Sequence, residues 1–106
     1  MRRAVITGLG IVSCIGNNKK EVVESLRDEK SGITFSEEFA EKGFRSHVWG
    51  MPSIDITEHI ERRERRFMGE GAAYNYIAMK QAIEDSGLGD AEVSNEKTGL
   101  IMGSGG

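Results

Sequence analysis

Arg3-Ala4-Val5-Ile6-Thr7 runs straight into Gly8-Leu9-Gly10, and Thr98-Gly99-Leu100-Ile101-Met102 runs as directly into Gly103-Ser104-Gly105-Gly106. Each is a short, mostly apolar run without polar alternation. Such a run predicts a strand buried on both faces, the kind found in parallel sheets covered by helices. Helical signals lie between the two. Asn18-Lys19-Lys20-Glu21 has an N-cap-to-N3 pattern, and Val22, Val23 and Leu26 continue an apolar stripe. Ser31-Gly32-Ile33 then reads as a Schellman-type stop, which predicts a helix over 19–30. Met68, Ala72, Tyr76, Met79 and Ile83 recur at helical spacing, predicting one face of a second helix that Gly87-Leu88 ends. The class is α/β. Two buried-type strands and two helices cannot cover both faces of a parallel sheet, which usually holds about four to six strands. The expectation is therefore an amino-terminal piece of a larger protein, with no complete domain boundary inside residues 1–106.

The middle of the chain is less regular. Phe35, Phe39 and Phe44 read as packing residues of an irregular excursion, and Ser46–Trp49 as a short strand. Asp55 with Glu58 offers a second capping pair. Gly69 and Gly71 are unfavourable inside a helix, by up to about 1 kcal/mol each, and predict either a break near Phe67 or close packing against another backbone.

Composition limits the function. The 106 residues carry 14 Lys and Arg against 17 Asp and Glu, a formal charge of -3. That balance excludes a whole-surface field built for nucleic acid. No apolar run approaches the roughly 20 residues that span a bilayer. A single Cys excludes an internal disulfide framework or a Cys-rich zinc site and fits a reducing compartment.

Several candidate sites follow from residue type and spacing. Gly8-Leu9-Gly10 after a predicted strand invites a dinucleotide reading. However, Ser13 stands where the fingerprint wants Gly or Ala, and Asp28 falls at a helix end rather than after a second strand. The plain alternative is a tight strand-to-loop turn. Cys14, with His47 and His59 as the chain's two imidazoles, permits a Cys–His pair by arithmetic, but no charge lies within four positions of Cys14 to activate it. A small buried filler is the reading preferred for Cys14, and neither His has metal-ligand spacing. Met1-Arg2-Arg3 followed by an apolar stretch and Cys14 also admits a rival: a short exported lipoprotein or binding module acylated at Cys14. Finally, Glu58–Arg66 holds four Arg and three Glu. On a helix Arg62, Arg63 and Arg66 project to one side, giving either a solvated face with internal Glu–Arg pairs or a docking patch for an acidic partner.

Taken in order, RAVITGLGIVSCIGNN, SLRDEKSGI, RSHVWG, RRFM and TGLIMGSGG resemble the amino-terminal quarter of the condensing enzymes of fatty-acid synthesis, the ketosynthases. RSHVWG and RFM point to the type I branch, and the resemblance covers essentially the whole chain. It implies a thiolase-like fold of layered αβαβα architecture, a cytoplasmic homodimer, and acyl transfer with decarboxylative Claisen condensation. It implies no metal, cofactor, nucleic acid or membrane. The family's nucleophilic Cys and two His lie beyond these residues, and Cys14, His47 and His59 do not match them. Two elements do match. Arg62, Arg63 and Arg66, with Arg45 as a further candidate, correspond to a basic patch that meets acyl carrier protein. Gly103, Ser104, Gly105 and Gly106 correspond to the segment leading into the acyl-chain pocket.

Overall fold

The structure, a computed structural model, describes residues 1–105, so Gly106 lies outside the described residues. The chain is mixed helix and strand: α1 (Lys19–Arg27), β1 (Ile33–Phe35), α2 (Glu37–Glu41), β2 (Val48–Gly50), α3 (Ile56–His59), α4 (Arg62–Arg65), α5 (Glu70–Ser86) and α6 (Asp90–Val93). It divides into two compact units. One is Val12–Ile54; the other joins Met1–Ile11 to the chain from Asp55 onward.

In the first unit, Asn18 caps α1 by accepting the Glu21 amide at 3.0 Å, and the Glu21 carboxylate accepts the Asn17 amide at 2.7 Å. Val22 is its buried residue. The helix stops at Arg27, before the predicted end. The Glu29 amide donates to the Leu26 carbonyl and the Lys30 amide to the Ser25 carbonyl, so the Schellman turn is made there. Its left-handed position is taken by Glu29, at φ 54°, and not by Gly32. Gly32 has another task. A Cβ there would lie 2.3 Å from the Cys14 carbonyl oxygen, so glycine lets the two backbones meet.

The excursion between Thr34 and Ser53 is ordered. β1 and β2 pair antiparallel with Thr34 opposite Trp49 and Phe35 opposite Val48. The predicted Ser46–Trp49 strand is thus real but begins at Val48. Buried Ser36 caps α2 by accepting the Phe39 amide at 3.2 Å. A second Schellman turn ends α2: Gly43 takes φ 71°, and the Phe44 amide reaches the Phe39 carbonyl at 3.0 Å. The same two phenyl rings meet edge to face at 5.1 Å, and Trp49 packs on Phe39 at 5.4 Å. These contacts give the small unit an aromatic centre.

In the second unit, the predicted strands at 3–7 and 98–102 are not strands. Neither pairs with another segment among the described residues, and Ile6 and Ile101 stand 91% and 97% exposed. A buried-type strand needs neighbours on both edges, and none is supplied here. The glycines after the first run pack against α5 instead. A Cβ on Gly8 would come within 2.0 Å of the Ala82 carbonyl oxygen, and one on Gly10 within 1.8 Å of that of Ala78. Side chains of α5 then satisfy the segment's amides: Leu9 donates to Asp85 at 3.0 Å and Ile11 to Gln81 at 3.1 Å. This close approach replaces both the strand-to-loop turn and the dinucleotide reading as the reason for Gly-x-Gly.

Helix α5 runs from Gly69 to its left-handed stop at Gly87, φ 69°, as predicted, and the break precedes it between Arg65 and Glu70. Its buried residues are Ala73 and Ile77, however, and not the predicted stripe.

Candidate functional site

Two features of the second unit carry possible chemistry, and both are set by the ends of α5. Upstream, Asp55 caps α3 through its Oδ1, which accepts the Thr57 amide at 2.8 Å and the Thr57 hydroxyl at 2.6 Å. The Thr57 hydroxyl, then its amide, hold the Asp55 carboxyl below its ordinary value, with Arg65 and His59 assisting. Buried Ile60 ends that short helix, and α4 follows at once. Its single turn presents Arg62 and Arg63, and Arg66 is its C-cap.

All three arginines are exposed, and none forms an ion pair among the described residues. The internal Glu–Arg pairing of the solvated-face reading is therefore not what holds them. Arg66 lies instead over the Phe67 ring, 4.9 Å from its centroid, and Phe67 is 78% exposed. Unpaired, exposed guanidinium groups are suited to carboxylates or phosphates. Arg45 belongs to the other unit, exposed in the loop between α2 and β2.

Downstream, the stripe of Met68, Ala72, Tyr76, Met79 and Ile83 faces an open groove of about 950 Å³, walled on its other side by Leu100 and Met102. Gly103 and Ser104 close one end, where the Asn75 amide donates to the Gly103 carbonyl at 3.5 Å. A Cβ on Gly71 would sit at ordinary distance, 3.6 Å, from the Ser104 hydroxyl, so Gly71 has room to spare. The groove is apolar along its length, with Lys80, Glu84 and Asp90 among its polar lining. Of the predicted turn, Gly103 and Ser104 thus lie beside an apolar groove, Gly105 is not part of its lining, and Gly106 is outside the described residues. Spacing alone revealed the stripe but not which way it faced. Ala73 and Ile77, one step round the helix, are the core residues.

Cys14 is half-buried and far from any activating arrangement. Cβ atoms on Gly32 and Gly50 would stand 2.8 and 3.0 Å from its sulfur, so the thiol is packed between two glycines as a small filler. Ser13 and Gly16 exchange amide–carbonyl bonds of 2.9 and 3.2 Å around it. His47 meets Phe35 edge to face at 6.1 Å, and His59 ends α3. No cluster of metal-ligating side chains occurs among the described residues, and no helix is long and apolar enough to cross a membrane.

The sequence model of the β-ketoacyl synthase N-terminal domain matches residues 1–106. The chain is similar to 3-oxoacyl-[acyl-carrier-protein] synthase 1 of Haemophilus influenzae, 55% identical over 105 residues and 99% of the chain. The Escherichia coli K12 protein of the same name is 55% identical over 107 aligned residues, covering 100% of the chain. That of Buchnera aphidicola from Baizongia pistaciae is 52% identical over 106, covering 98%. In each case the chain spans 26% of the relative's length.

Proposed function

The chain belongs to the β-ketoacyl synthase family, and on that premise we propose that it forms the amino-terminal portion of a 3-oxoacyl-acyl carrier protein synthase. The observation that carries this reading is 55% identity sustained along the whole chain to synthases of that name. The complete enzyme takes the thiolase-like fold, layered αβαβα, and works as a cytoplasmic homodimer. In that architecture the exposed runs 3–7 and 98–102 acquire the strand neighbours their composition calls for.

The reaction lengthens a fatty acyl chain. An acyl group is carried as a thioester on a cysteine thiolate; malonyl-acyl carrier protein loses carbon dioxide, and the resulting carbanion attacks the thioester carbon. The carbon–sulfur bond breaks, the thiolate is regenerated, and the 3-oxoacyl group leaves on the carrier. Such chemistry needs a nucleophile, and donors placed where negative charge develops. Neither Cys14, His47 nor His59 has the surroundings for it, so on this reading the catalytic groups lie elsewhere in the complete enzyme.

The part played by this portion is to receive the carrier. Arg62, Arg63 and Arg66 form the docking patch for acyl carrier protein, because unpaired exposed guanidinium groups recognise an acidic surface and steer its approach; Arg45, in the other unit, is a separate candidate contact. Gly103, Ser104, Gly105 and Gly106 lead into the acyl pocket, where small residues leave space for a chain. The test is to supply the complete polypeptide with acyl- and malonyl-carrier protein. One carbon dioxide should be released for each 3-oxoacyl product; carrier-bound substrates that stay unchanged would overturn the reading.

A further inference from the structure

We draw no further inference here: the strongest candidate, the open apolar groove between the Met79 and Ile83 face of α5 and the opposing Leu100 and Met102, carries none because nothing in the structure shows what covers it in a chain that spans 26% of its relatives' length.

Discussion

Gly10 lies against the carbonyl of Ala78 so closely that a Cβ would stand 1.8 Å from the oxygen. The relationship explains the Gly-x-Gly pair as backbone packing on α5, with Asp85 and Gln81 taking the amides of Leu9 and Ile11. Gly10→Ala in the complete polypeptide should therefore destabilise by about 1–3 kcal/mol through overpacking alone, measured by denaturant unfolding. Gly71→Ala, whose Cβ would meet only the Ser104 hydroxyl at an ordinary 3.6 Å, serves as the control and should be neutral or slightly stabilising. Equal effects at the two positions would contradict the packing.

The two Schellman turns make opposite predictions. Glu29 holds a left-handed conformation that costs an L-residue about 1–2 kcal/mol. Glu29→Gly should accordingly raise stability, by less than that because glycine loses more backbone freedom on folding. Gly43→Ala imposes the same strain where there is now none and should lower stability. Chemical denaturation of the pair should give shifts of opposite sign.

Asp55 makes stability depend on pH in a defined direction. The Thr57 contacts lower its carboxyl in the folded state, so its contribution is complete above the ordinary carboxylate value and is lost as pH falls through the lower folded value. Asp55→Asn retains a capping oxygen that does not titrate in this range. The Tm advantage of the parent over this variant should shrink on acidification below about pH 4. An advantage independent of pH would show that the carboxylate charge does not contribute.

How much of this was legible in the sequence depended on range. The Asn18 cap, the break near Phe67 and the Gly87 stop are decided within a few residues, and each occurs where local pattern puts it. Gly43-Phe44 carried the same Gly-plus-apolar stop and was readable, but a five-residue helix has too little periodicity to draw attention to it. Strand pairing was not legible, because Val5 and Leu100 can show that a segment suits a sheet but not that a partner is present. Gly32 was misplaced for the same reason: its role is set by Cys14, far along the chain. The apolar stripe of α5 is real, yet which flank is buried depends on what lies opposite. The arginine turn was legible as residues; the stacking of Arg66 on Phe67 was not.

Charge reversal at Arg62 and Arg63 in the complete enzyme should raise the KM for carrier-protein substrate, strongly at low salt and weakly at high salt, with kcat little changed. A KM insensitive to the substitution would count against docking at α4.

The division of labour is tested most directly by assaying the purified 106-residue chain and the complete polypeptide side by side for 3-oxoacyl product from acyl- and malonyl-carrier protein. The complete polypeptide should form it and the chain alone should form none. Product from the chain alone would contradict the placement of nucleophile and histidines outside residues 1–106.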